Sequence, residues 1–145
     1  MRNGEKATQR LAVDAQILIR ALLPSRTREL FQALRGRVTL VTTTGKIAEI
    51  KRWLPSIARK RGLDADLLMS AVVKLPVEVI AATRFQKQIE AAQEQIGDRD
   101  PSDVDLLALA LAENIPIWSD DRDFEDSSAQ VFRTEAIIAK LNKEG

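Results

Sequence analysis

Three features of the sequence predict a single α/β domain with a mostly parallel central sheet flanked by helices. Short apolar runs, several rich in β-branched residues, alternate with longer segments whose apolar residues recur at helical spacing. The length of 145 residues suits one core and leaves little room for two. No internal repeat or low-complexity linker divides the chain. The expected organisation is a flexible N-terminal segment over residues 1–10 and a folded domain over 11–145.

Leu11–Val13 reads as a short buried strand that ends at Asp14 and passes at once into a helix bearing Ile17, Leu18, Ala21 and Leu22. Pro24 and Ser25 break that helix, Arg28–Leu34 resumes the pattern, and Gly36 stops it. Val38–Thr43 is the second strand. Thr44 is placed to cap the next helix, whose apolar stripe of Ile47, Ile50 and Leu54 is expected to end before Pro55. A helix from Asp64 should turn Leu67, Leu68, Ala71 and Val72 inward. Val77–Ile80 is a third strand, and Thr83–Ile96 an amphipathic helix. Asp100-Pro101-Ser102-Asp103 is a helix start with a cap, a first-turn proline and an acid for the dipole, and that helix runs to about Asn114. Ile115–Trp118 reads as a central strand followed by the polar tract Ser119–Ser128, with a last strand at Val131–Arg133 and a closing helix to Lys140.

Composition narrows the chemistry. The chain has no histidine, cysteine or tyrosine, which excludes Ser-His-Asp and Cys-His sites, histidine acid/base pairs, thiolate or imidazole zinc sites and disulfides. Carboxylate, lysine, arginine and hydroxyl chemistry remains. The longest strongly apolar run, Leu106–Ala112, is far short of the roughly 20 residues of a membrane span. The polar residues Met1–Arg10 lack the apolar core of a signal peptide, so a soluble, cytoplasmic protein with no membrane partner is expected. The net charge is only +1, but residues 1–73 hold 14 basic and 6 acidic side chains while residues 74–145 hold 8 and 15. Ten of the 21 acids lie between Asp98 and Asp126.

In a parallel sheet every strand ends, and every following helix begins, at the edge where ligands bind. Asp14 ends the first strand, Asp103 starts a helix, and Asp120 and Asp121 follow the strand which that helix feeds. Glu49 can lean to the same edge from the helix after the second strand. Gathered carboxylates repel one another unless a cation neutralises them, so a magnesium or manganese site is expected, and neutralising one acid should leave the fold intact or slightly more stable. Asp103 and Asp105 are about 200° apart around a helix, so only one faces the site. Asp103 shares its face with Leu107 and Ala110 and is favoured; Asp105 is read as solvated or as a neighbour that orients the ligands.

At these residues the chain, from Leu11 to about Thr134, resembles a PIN domain, the fold of the VapC-type toxin ribonucleases. LAVDAQILIRALLP resembles the family's first strand, aspartate and helix, placing that aspartate at Asp14. TTTGKIAEI resembles the threonine-rich strand end followed by a helix with a glutamate, here Glu49. DPSDVDLLALALAENIPIWSDDRDF, the most specific block, resembles the third and fourth motifs and carries the acidic positions onto Asp103 and Asp121, with Asp123 as an accessory. The resemblance implies magnesium- or manganese-dependent cleavage of RNA by a toxin held by an antitoxin, and a homodimer whose apolar contacts would come from Leu22, Leu23 and Leu30. Where the family commonly has Asn, Ser or Thr two residues after the first aspartate, this chain has Gln16, whose extra methylene displaces the polar group.

Around the site, Ser119 offers a hydroxyl and Arg20 is placed either to meet a phosphate or to pair with an acid. Lys51, Arg52, Lys60 and Arg61, with Lys46, Arg59 and Arg26, Arg28, Arg35 and Arg37 nearby, are set either to track a phosphate backbone or to form a solvated face. Trp53 and Trp118 read as core or interface residues. The sequence therefore supports a metal-dependent endoribonuclease, against which stand a PIN-like module that binds RNA or protein without cutting and a phosphoacceptor receiver domain. The last lacks an aspartate after Val77–Ile80 and is the weakest.

Overall fold

In the computed structural model, which describes residues 9–97 and 100–144, five strands form one wholly parallel sheet in the order β3-β2-β1-β4-β5. The strands are β1 (Gln9–Val13), β2 (Val38–Thr43), β3 (Val77–Ile80), β4 (Ile117–Trp118) and β5 (Val131–Phe132). Helices α1 (Ala15–Leu22), α2 (Arg26–Leu34), α3 (Thr44–Arg61), α4 (Ala65–Val73), α5 (Ile89–Ile96), α6 (Pro101–Glu113) and α7 (Thr134–Glu144) cover both faces. Alternation along each strand divides the core in two. Leu11, Val13, Leu40 and Trp118 point to α1, α2, α3, α4 and α7, whereas Ala12, Val41 and Ile117 point to α5 and α6.

This topology positions the site. Strand order runs 3-2-1 and then reverses to 4-5, so the switch point lies beside β1 and β4, and in open parallel sheets ligands bind at the carboxyl ends of the strands there. Asp14 follows β1 and Ser119 follows β4 at that point, and the Asp14 N–H donates to the Trp118 carbonyl at 3.1 Å.

Several local expectations are corrected. β1 begins at Gln9, two residues before the expected domain start, and Arg10 is fixed by ion pairs to Glu78 at 2.9 Å and Glu113 at 2.8 Å; residues 1–8 lie outside the described residues. Thr43, not Thr44, caps α3 by accepting from the Lys46 N–H. That helix continues through Pro55 to Arg61 and stops at Gly62, whose φ of +67° suits a left-handed cap. The helix expected from Thr83 begins as two 3₁₀ turns and becomes α5 only at Ile89, with Phe85 buried between the turns. In α4 only Leu68 and Val72 are buried, while Leu67 is 68% exposed. Leu22, Leu23 and Leu30, expected to supply a dimer contact, are buried inside the chain's own core. They are unavailable to a partner. Of the two places expected for Trp53, core or interface, the core is ruled out because it is half exposed, whereas Trp118 is fully buried against Phe31 with ring centroids 5.4 Å apart.

Candidate active site

Three elements deliver three carboxylates to the carboxyl edge of the sheet. Asp14 caps α1, where its Oδ1 accepts from the Ala15 N–H at 2.8 Å and its Oδ2 from the Ser119 hydroxyl at 2.7 Å. Both oxygens are thus held by groups belonging to neighbouring strand ends, and Asp14 is almost wholly buried. Glu49, a turn beyond Lys46 in α3, accepts from the Ser102 hydroxyl. Asp103, in the first turn of α6, is buried and turned toward the same centre. α3 meets α6 closely at Gly45, where a Cβ would lie 3.2 Å from Asp105 Oδ2, which would have to give slightly, and 3.9 Å from Ser102 Cα, an ordinary contact.

At the centre stands Lys46, a residue whose part in the site its sequence context hides. It is 1% exposed, and its Nζ lies 2.5 Å from Asp103 Oδ1, 3.0 Å from Asp14 Oδ1 and 3.3 Å from Glu49 Oε1. The same ammonium donates to Ser102 Oγ at 3.2 Å. Burial alone would favour the neutral amine, but the attraction of Asp14, Asp103 and Glu49 outweighs it and holds the lysine well above its ordinary value. For Asp103 the balance runs the other way. Burial pushes its carboxyl up to about 6 against the pull of Lys46, with Asp14 and then Asp123 adding like-charge repulsion.

The remaining expected residues divide. Asp123 is close enough to Asp103 to repel it, whereas Asp121 caps the 3₁₀ turn Arg122–Phe124 by accepting from the Asp123 N–H at 3.2 Å. Ser119, fully buried, donates to Asp14 and accepts from the Asp121 N–H at 3.0 Å, so one hydroxyl sets both the carboxylate and the loop. Asp105 is not fully solvated: it sits over Gly45, and burial raises its pKa against the pull of Lys46. Asp120 takes no place among the three carboxylates. It accepts from the Thr134 N–H at 2.8 Å, the Thr134 hydroxyl at 2.7 Å and Arg20 at 2.7 Å, tying α1 and β4 to the start of α7. Those hydrogen bonds outweigh burial and keep its carboxyl below the usual range. Of the two roles open to Arg20, pairing with an acid is the one observed. Gln16 is exposed on the first turn of α1.

Lys51, Arg52, Lys60 and Arg61 are all exposed, on different flanks of α3. Lys46, Ile50, Leu54 and Ala58 form its buried face. Arg52 and Lys60, one and three turns beyond Glu49, share the flank of that glutamate, while Lys51 lies about 200° away from it. Arg52 also reaches the field of Asp100, whose carboxyl is held below the ordinary range chiefly by the backbone N–H and hydroxyl of Ser102.

Hard carboxylate oxygens in excess over basic groups suit magnesium or manganese. Among the described residues, however, no three acidic side chains are spaced to hold an ion as they stand, and the oxygens of Asp14, Glu49 and Asp103 that converge do so on the lysine ammonium. The donor chemistry fits a divalent cation, and Lys46 determines which oxygens are left for one.

A family model for the PIN domain matches residues 12–142. Among solved structures, the chain is similar to VapBC2 from Rickettsia felis bound to a DNA fragment from their promoter, at 15% identity over 86% of this chain and 98% of that one, with a TM-score of 0.64. PAE2754 from Pyrobaculum aerophilum gives 16% identity over 97% and 94% of the two chains and a TM-score of 0.69. VapC20 from Mycobacterium tuberculosis, described as a sarcin-ricin loop cleaving toxin, gives 16% identity over 82% and 95% and a TM-score of 0.55. No curated protein matches the sequence. Likeness at these identities shows the shared fold.

Proposed function

Because the chain belongs to the PIN domain family, we propose that it is a divalent-metal-dependent endoribonuclease, the toxin of a toxin–antitoxin pair acting as a homodimer on RNA in the cytoplasm. The observation that supports this reading best is the convergence of Asp14, Glu49 and Asp103 on one point at the switch of the sheet. Asp14, Glu49, Asp103 and Asp121, with Asp123 as an accessory, would hold Mg²⁺ or Mn²⁺. When bound, such an ion lowers the pKa of a water and stabilises the charge on a leaving oxygen, chemistry that needs no histidine. The chain's own residues orient the ligands. Ser119 and the Ala15 N–H fix both oxygens of Asp14, Ser102 fixes Glu49, and Lys46 offsets the repulsion among the acids. Arg52 and Lys60, on the flank of Glu49, lead a phosphate backbone away from the site.

The direct test is incubation of the purified chain with RNA. Cleavage should require Mg²⁺ or Mn²⁺ and stop in excess EDTA; undiminished cleavage in EDTA would remove the metal from the reaction. RNA binding without cleavage under any divalent ion would favour a non-cutting PIN module instead. An ion that binds only the folded site also stabilises it by mass action, about 2.7 kcal/mol at 100 times the Kd, so Mg²⁺ should raise the Tm. A Tm indifferent to millimolar Mg²⁺ and Mn²⁺ would count against the site.

Salt dependence separates the basic residues. Each phosphate contact on a single strand contributes about 0.7 to the slope of log affinity against log salt. Arg52→Gln should reduce the slope by about that amount, while Lys51→Gln, on the opposite flank, should leave it unchanged. Equal effects from both would show that the whole helix, not one flank, meets the RNA.

A further inference from the structure

The place of Lys46 bears on how many ions the site accepts, an inference that rests on the nuclease reading above. Asp14, Glu49 and Asp103 each turn one oxygen onto its Nζ, at 3.0, 3.3 and 2.5 Å. A magnesium ion bound to those same oxygens would lie about 2.1 Å from each. Two cations sharing these oxygens would be within roughly 5 Å of one another, where like charges in a buried site repel strongly.

Lys46 is not a side chain that has folded in from the surface. Its position continues the buried i, i+4 series of Ile50, Leu54 and Ala58, and its backbone N–H is held by the Thr43 cap at 3.0 Å. Withdrawing the ammonium would strip three carboxylates and Ser102 of a shared partner at once. The lysine is therefore anchored at both ends, by the core along its stem and by the acids at its tip.

We propose that Lys46 is a tethered cation standing at the point where Asp14, Glu49 and Asp103 converge, so that no divalent ion enters that point and the site takes a single one. That ion would be held by Asp14 and Asp103 together with the loop bearing Asp121 and Asp123, with Ser119 keeping its hydrogen bond to Asp14. Ser119 ties that loop to Asp14, and Asp123 is already within range to repel Asp103. Glu49 gives Lys46 and Ser102 the same oxygen, Oε1, and would meet the ion through Oε2.

The test counts ions. Calorimetric and EPR titrations with Mn²⁺ should give one ion per chain for the parent and two for Lys46→Met, which keeps the apolar stem and removes the charge. Two ions bound by the parent, or one by a folded Lys46→Met, overturns the proposal while leaving the metal-dependent reading in place. No uptake by either protein overturns both. Should Lys46→Met fail to fold without metal, the parent decides the matter alone. In ¹⁵N-lysine NMR the Lys46 ammonium resonance should stay protected from exchange at saturating Mg²⁺, and its release to the solvent-exposed pool would show that the ion displaces it.

Discussion

Asp14→Asn, and separately Asp103→Asn, should lower the rate of metal-dependent RNA cleavage by about 10³-fold or more, the several kcal/mol expected when a metal loses a charged ligand. Either change should also lower the Tm. Carboxylates gathered without a counter-charge would be relieved by losing one, which is the sign expected from the acids alone. The ammonium of Lys46, 3.0 Å from Asp14 and 2.5 Å from Asp103, reverses that sign. Each substitution removes a charged partner from a buried lysine, at a cost of about 1.5–3 kcal/mol. Asparagine still accepts from the Ala15 N–H at the head of α1, so the cap survives and the protein remains folded. Rates and melting curves of the same preparations check both halves. Asp105→Asn is the control: it faces Gly45, so cleavage should persist, and loss of cleavage there with retention in Asp103→Asn would exchange the roles of the two acids.

How far this site was legible follows from which rules fix each residue. Asp14 and Asp103 stand where a strand ends and a helix begins, and in a parallel sheet those two events share an edge whatever the loops do. Glu49 needed only the helical period. Lys46 was visible too, as the first member of the series Lys46, Ile50, Leu54, Ala58, but a lysine among neighbouring basic residues reads as solvated until an acid is known to meet it. Of its partners only Glu49, at i+3 on the same helix, is local; Asp14 at the head of α1 and Asp103 in α6 are distant in sequence, so no local pattern could reveal the burial of the lysine among them. The order of Asp121 and Asp123 was likewise hidden. It depends on a 3₁₀ turn and on the Ser119 hydroxyl holding the Asp121 N–H, which are features of loop geometry. Pro55 misled because it removes one hydrogen bond from a helix whose buried face continues to Ala58, and packing along that face outweighs the loss. Leu67 misled because α4 is too short and too uniformly apolar for periodicity to choose its inner face.

The largest loss of stability should come from Trp118→Ala, about 3–5 kcal/mol. Trp118 is fully buried, packs on Phe31 of α2 and donates from its indole nitrogen to Thr134 Oγ1 at 3.0 Å. Truncation would leave a void between the sheet and α2, and would free a hydroxyl that also anchors Asp120. For a domain whose whole stability is about 5–15 kcal/mol, that is a drop of roughly 10–20 °C in Tm. The effect should also reach the site, because Trp118 holds the Asp14 N–H through its carbonyl and immediately precedes Ser119. Trp118→Phe separates the contributions: it keeps most of the volume, losing the indole hydrogen bond and the packing of one ring, so it should cost about 1–2 kcal/mol. If the two variants melted together, the Thr134 hydrogen bond and not the filled volume would be what fixes β4, and the end of the strand that presents Ser119 to Asp14 would be held from α7 alone.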